Sequence, residues 1–416
     1  GIFDSTTVES IEPLAVSSYK DSDGSYLAQS YKTRFTLDLV SGQAMYSNLW
    51  GAMGTTIFAF SDILGDHRIY VGTEMVMNLE NSDYFVMYSY LKPRNDLNVG
   101  IFHTSNIFGS QWNFLRLRYL SMDMSVSRPI SRFQRLNFGL TNHFVNSKEY
   151  VLVAYNQYSL AVDESLRILS YSLSWTYDNS QWGFTSPSDG WRANAQFSQS
   201  LDLFGYPLDF KTVLFDARRY FRVGRLYSFA FRAMGGFSFG ANPQRFFLGG
   251  TQNWLFGSGY TDGKRDPARW NDDEDADIWD SEDSNYLKDL YFSIFVLPVR
   301  GARLVEKNGT KVFLTNYEFR FPFVNYLALG FPLKIILGNI QGVLFIDAGA
   351  AWDENFQFRS TDSVTGLTDF DDFVATYGAG LRINIGYTII RFDAAKDYTM
   401  HGSSKWQYYI SLGTDF

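Results

Sequence analysis

The chain has 416 residues, of which 18% are aromatic and none is cysteine, and a formal net charge of -8. The acidic balance argues against a basic nucleic-acid-binding surface, and the lack of cysteine excludes disulfides, thiolate metal sites and a thiol nucleophile. With a mean hydropathy of -0.17 and no run of about 18 uncharged apolar residues, a membrane-spanning helix is not expected, whereas hydropathy does not exclude a β-barrel, because lumen-facing residues dilute the lipid-facing ones.

The 27 Tyr and 38 Phe against 10 Pro favour strands and suit aromatic girdles at two membrane interfaces. Beginning at Gly1 with neither Met nor a signal peptide, the chain reads as a processed protein or the C-terminal part of a longer one. Residues Gly1 to Ser30 are polar and irregular, a linker or periplasmic lead-in too short for a separate domain of the usual size.

From Tyr31 to the end, short alternating segments recur between turn signals. Thr55 to Ser61 runs into Asp62-Ile63-Leu64-Gly65-Asp66, and Ile69, Val71, Thr73 and Met75 then alternate with Arg68, Tyr70, Gly72 and Glu74. Tyr84 to Leu91 stops at the turn Lys92-Pro93-Arg94-Asn95-Asp96, and Val99 to Thr104 begins the next strand. Leu115, Leu117 and Tyr119 oppose Arg116 and Arg118, whereas further on the apolar set is Leu120, Met122, Met124 and Val126. A bulge there is expected. Arg132 to Phe144, Val151 to Leu160, Leu166 to Tyr177, Trp191 to Ser200, Leu208 to Tyr220 and Leu226 to Met234 continue the series.

Later strands carry charge on one face. Asn316, Glu318 and Arg320 oppose Phe313, Thr315, Tyr317, Phe319 and Phe321. Val343, Phe345, Asp347 and Gly349 oppose Leu344, Ile346, Ala348 and Ala350. The charged faces are expected to line a lumen, since Arg near the bilayer midplane would cost about 2–4 kcal/mol on the lipid face. In the last stretch, Lys405 to Phe416, the apolar set is Trp406, Tyr408, Ile410, Leu412 and Phe416, the pattern of a closing strand. The segments and the even strand number usual in bacterial barrels predict an all-β, antiparallel transmembrane barrel of 16 strands over residues 31–416.

Seven motifs in order carry a family resemblance: Arg245-Phe246-Phe247-Leu248-Gly249-Gly250, Pro298-Val299-Arg300-Gly301, Tyr317-Glu318-Phe319-Arg320-Phe321-Pro322, Phe345-Ile346-Asp347-Ala348-Gly349, Gly378-Ala379-Gly380-Leu381-Arg382-Ile383, Ile390-Arg391-Phe392-Asp393-Ala394-Ala395, and Trp406 to Phe416. Tyr177-Asp178 followed by Asp189-Gly190-Trp191-Arg192 fits the same pattern. This resembles the BamA/TamA-like bacterial surface-antigen superfamily. The resemblance implies a long loop folded back into the lumen, with Arg300 and Gly301 at its tip and Arg300 meeting Glu318, Asp347 and Phe345. The chain departs from the pattern twice. Ala302 stands where the family has an aromatic residue after Arg-Gly, and an acidic insertion lies within 251–298, with ten carboxylates between Asp262 and Asp283. Such a run could bind Ca²⁺, but it lacks the fixed spacing of an EF-hand loop, and a solvated extracellular loop is the reading adopted.

The four His (His67, His103, His143 and His401) show no metal-ligand spacing, and no Gly-rich phosphate loop opens a helix. No catalytic residue, metal or cofactor is therefore expected. The resemblance implies location in the outer membrane of a Gram-negative bacterium, in contact with lipid and lipopolysaccharide. It also implies a role in assembly or insertion of outer-membrane proteins, or in protein translocation. The implied partners are client outer-membrane proteins and periplasmic or lipoprotein accessory subunits. It implies further a weak seam, here joining roughly Tyr31–Val40 to Lys405–Phe416. The alternative is a passive channel or a non-catalytic anchor within a larger complex.

Overall fold

The computed structural model describes residues 26, 31–47, 51–74, 83–109, 113–154, 157–203, 208–224, 226–251, 254–257, 293–303, 305–330, 335–361, 366, 368–386 and 388–413. Most of the lead-in, the acidic run 262–283 and Phe416 lie outside the described residues.

Among the described residues, sixteen strands form one continuous antiparallel wall, each paired with the next. They are β1 (Phe35–Ser47), β2 (Gly51–Asp62), β3 (His67–Glu74), β4 (Asp83–Tyr90), β5 (Asp96–Gly109), β6 (Asn113–Ser131), β7 (Gln134–Ala154) and β8 (Gln157–Asp178). The second half is β9 (Pro187–Ser200), β10 (Lys211–Val223), β11 (Tyr227–Phe239), β12 (Lys311–Leu329), β13 (Ile335–Trp352), β14 (Phe373–Asn384), β15 (Ile389–Thr399) and β16 (Gln407–Leu412). This is the all-β architecture and strand number that the segment pattern predicts. Among the described residues, no helix is long and apolar enough to cross a membrane.

Antiparallel alternation sorts the connections into two ends. The turns 63–66 and 91–95 lie at one end, and the connection 240–310 between β11 and β12, the longest of all, lies at the other, together with the hairpin between β7 and β8. Outer-membrane barrels carry their longest loops at one end. The period-2 pattern becomes two chemically different surfaces. On β12, Phe313 and Tyr317 point outward and are exposed, while Leu314, Asn316, Glu318 and Arg320 point inward and are buried. On β13, Leu344 and Ile346 are exposed, while Val343, Phe345 and Asp347 are buried. In hydrocarbon this arrangement presents apolar groups to lipid and encloses the charges.

Three expectations need correction. Val151 to Leu160 is not one strand: it straddles the hairpin between β7 and β8, whose pairing ends at Ala154 and Gln157. Nor does β6 have a bulge near Leu120, since its ladders to β5 and β7 stay in register there. Leu117, Tyr119 and Ser121 share the inward face, and Tyr119 packs against Val145, Leu166, Ile168, Leu208 and Phe210. The apolar residues change face because part of the lumen wall is itself apolar. Finally, among the described residues β1 does not pair with β16. The free edge of β16 is taken instead by a short strand from the long connection, Trp254–Gly257. Among the described residues the last strand is six residues long, and its outer edge takes backbone partners from this segment.

Candidate functional site

The long connection folds inward. Phe246–Leu248 pairs in parallel with Ile294–Val296 and antiparallel with Lys307–Gly309, making a small sheet under the loop end. Its apolar underside packs onto the wall, with Phe246, Leu248, Val296, Val299 and Ala302 against Val312, Leu314, Ala351 and Val374. The small Ala302 is buried in this cluster, at the position where the resemblance leads one to look for an aromatic ring.

At the tip, Val299 N donates to Gly250 O at 2.8 Å, which ties the two arms of the connection together. Arg300 follows and is 2% exposed. Its Nε and Nη2 donate to Asp347 Oδ2 and Oδ1, both at 2.8 Å, as a bidentate fork. Its Nη1 donates to Glu318 Oε1 at 2.6 Å, its backbone N donates to Asp347 Oδ2 at 3.0 Å, and its Cζ lies 3.7 Å from the centroid of the Phe345 ring. A guanidinium stays charged under essentially all conditions, so burial here requires partners of this kind. Phe345 in turn packs over Gly378 of β14, where an added Cβ would come within 2.6 Å of the ring. Gly301 has φ +94°, and its Cα faces β15 so closely that a Cβ would meet the Ala395 Cβ at 2.9 Å. The tip is thus held by β12, β13 and β15 together.

The buried network is larger than the five residues Arg300, Gly301, Glu318, Phe345 and Asp347. Asn316 Nδ2 donates to both Pro298 O (2.9 Å) and Asp347 Oδ1 (2.8 Å). Arg232 of β11 donates to Leu297 O at 2.6 Å and pairs with Asp216 of β10. Glu318 also accepts from Arg320 Nη2 at 2.6 Å. Arg320 then reaches the opposite mouth, donating to Ser186 Oγ (3.0 Å) and Pro187 O (2.8 Å). There the connection between β8 and β9 crosses under the lumen: Thr185 Oγ1 donates to Gln341 Oε1 at 2.6 Å, and Asn384 Nδ2 donates to Phe184 O at 2.7 Å. One hydrogen-bonded chain therefore links the loop tip above to a turn below. Inward alternation flags Asn316 and Arg320 in the sequence. Nothing local marks Ser186, Pro187 or Leu297, whose part is played by backbone carbonyls or a lone hydroxyl.

On β16, Trp406 and Tyr408, just before and within the strand, point outward and are exposed. Ile410 and Leu412 share that side half-buried, and Gln407, Tyr409 and Ser411 are buried inside. The edge of this strand pairs Trp254 with Ser411, Phe256 with Ile410 and Gly257 with Tyr409.

Residues 78–416 match the Omp85 superfamily domain. Among solved structures, the fold is similar to that of BamA from Haemophilus ducreyi lacking POTRA domains 1-3, at 12% identity and a TM-score of 0.54, covering 92% of this chain and 75% of that one. CdiB from Escherichia coli aligns at 11% identity and a TM-score of 0.49, covering 92% of this chain and 68% of that one. CdiB from Acinetobacter baumannii has the same identity and TM-score, with 92% and 64% covered. No curated protein matches the sequence. With the domain matched from before β4 through β16, this chain belongs to the Omp85 superfamily, the outer-membrane β-barrels of protein assembly and translocation.

Proposed function

We propose that this barrel handles other polypeptides at the outer membrane of a Gram-negative bacterium, by assembling or inserting outer-membrane proteins or by translocating protein. The observation that supports this reading is the seam. Every backbone N–H or C=O left unpaired in hydrocarbon costs several kcal/mol, so a barrel serving only as a pore is best closed. Here β1 and β16 stay unpaired with each other among the described residues. Among the described residues the outer edge of β1 carries no ladder, and an edge of that kind is an acceptor for an extended segment of another chain.

In this reading, Arg300, Gly301, Glu318, Phe345 and Asp347 pin the loop inside the lumen, which opposes a wide passive channel. The strand face of Trp406, Tyr408, Ile410, Leu412 and Phe416 acts as the barrel's own assembly signal. Residues 1–30 form the lead-in and 31–416 the barrel, with 251–298 as its loop insertion. The partners are lipid and lipopolysaccharide, client barrel proteins and accessory subunits, and the role is non-catalytic.

The test is conditional depletion followed by quantitative proteomics of the outer membrane. A broad fall in other barrel proteins supports an assembly or insertion factor. Loss of one or a few surface proteins supports a dedicated translocator. Unchanged levels throughout reject the proposal and leave the channel or anchor reading.

A further inference from the structure

We infer that Trp254–Gly257 is a built-in seam strand: it occupies the edge of β16 that the first strand or an incoming strand would otherwise use, and it has to leave before that edge can pair with anything else. The inference rests on the proposed function only in its last clause, the need for release.

Three observations carry it. The first is the pairing itself. Trp254–Gly257 runs antiparallel to β16 and takes Ser411, Ile410 and Tyr409 as partners, so half of a six-residue edge is occupied. The second is the state of the other edge. β1 pairs with β2 along its whole length and comes close to Trp254–Gly257, yet among the described residues forms no ladder with it or with β16. Among the described residues, the wall is thus interrupted between β1 and β16, and the interruption is filled from within the chain.

The third observation is the tether. Gly250 bridges to Val299, next to the pinned Arg300, and Thr251 is buried. Only residues 251–253 separate that anchor from Trp254, a reach of about 14 Å at most. The loop tip lies against Ala395 and Lys396 of β15, the neighbour of β16. The anchor therefore sets the seam strand down one strand away, at high effective concentration. A register irregularity between Trp254 and Phe256 shortens the paired stretch, which makes the strand a displaceable occupant rather than a seventeenth wall strand. Release need not disturb the Arg300 cluster, since the anchor and the strand are separate parts of the connection.

The test uses engineered cysteines in a chain that has none of its own. Partners across an antiparallel ladder lie about 4.5–5.5 Å apart at Cα, within disulfide range. Phe256→Cys with Ile410→Cys is oxidised in outer membranes, and folding is checked by heat-modifiable gel mobility. Most folded molecules are expected to cross-link. Cysteines placed singly at Leu37, Asp38, Leu39 and Val40, each with Ile410→Cys, report first-to-last strand pairing in any register of this stretch and are expected to cross-link weakly. That signal should rise several-fold when Trp254–Gly257 is replaced by Gly-Ser-Gly-Ser. A folded barrel in which the first pair fails to cross-link overturns the inference, as does a replacement that leaves the second signal unchanged.

These readouts need no client, so they stand or fall apart from the depletion experiment. For release, the oxidised Phe256→Cys/Ile410→Cys barrel should fail to restore outer-membrane protein levels after depletion, and reductant should recover them. Full complementation by the oxidised form shows that release is not required and overturns that clause.

Discussion

Replacing Arg300 with alanine should loosen the whole loop tip. The four buried side chains Arg300, Arg320, Glu318 and Asp347 are formally neutral together, so truncation leaves one uncompensated negative charge where no exposure exceeds 2%. The side chain's three charge-assisted hydrogen bonds, at about 1.5–3 kcal/mol each, set an upper limit on the loss. Two of the carboxylates' other bonds survive: Asp347 keeps Asn316, and Glu318 keeps Arg320. Breaking a buried pair from one side costs about 3–5 kcal/mol, and the surviving bonds place this case at the lower end, about 3 kcal/mol. The assay is urea unfolding of the barrel in lipid vesicles, followed by tryptophan fluorescence, with limited proteolysis of the long connection. The expected result is a lower urea midpoint and new cleavage near the tip. A double variant, Arg300→Met with Asp347→Asn, removes both partners and should lose less than the two single changes together, by at least about 1 kcal/mol. An Arg300→Ala barrel with an unchanged midpoint and an unchanged cleavage pattern would refute the reasoning.

The remaining predictions follow from the same geometry. Gly301→Val places a branched side chain at φ +94° and against Ala395, and should lower stability by about 2 kcal/mol or more, read as an earlier urea midpoint. Arg320→Met severs the link to Ser186 and Pro187, so the turn between β8 and β9 should become cleavable from the opposite mouth while the loop tip stays protected. Leu344→Arg puts a charge on the outward face of β13 and should cost about 2–4 kcal/mol near the bilayer midplane. A much smaller cost for Leu344→Arg in vesicles would argue that this face does not meet lipid.

Much of the wall was legible in the sequence. The alternation of Phe313 and Tyr317 with Glu318 and Arg320, and of Leu344 and Ile346 with Phe345 and Asp347, names the two faces, because a strand has a period of two and lipid and lumen differ in polarity. The same alternation misled on β6, where Leu117 and Tyr119 share the lumen face with Ser121. Polarity identifies a face only where the lumen is polar, and here Leu208 and Phe210 cover part of it. Strand ends were misread around Val151–Leu160, because the apolar pattern continues across a tight hairpin.

By itself, then, the sequence determined a many-stranded barrel, its inward and outward residues, and the set of charges that need partners. These depend on local period and on solvation, which act residue by residue. Only the tertiary structure decided which carboxylates meet Arg300, that Glu318 bridges it to Arg320 and the far mouth, and that Trp254–Gly257, rather than the first strand, covers the edge of β16. Those pairings join residues from Ser186 to Ser411 through curvature of the wall and reach of one loop. Backbone hydrogen bonding, which makes the seam, has no residue-type signature to read in advance.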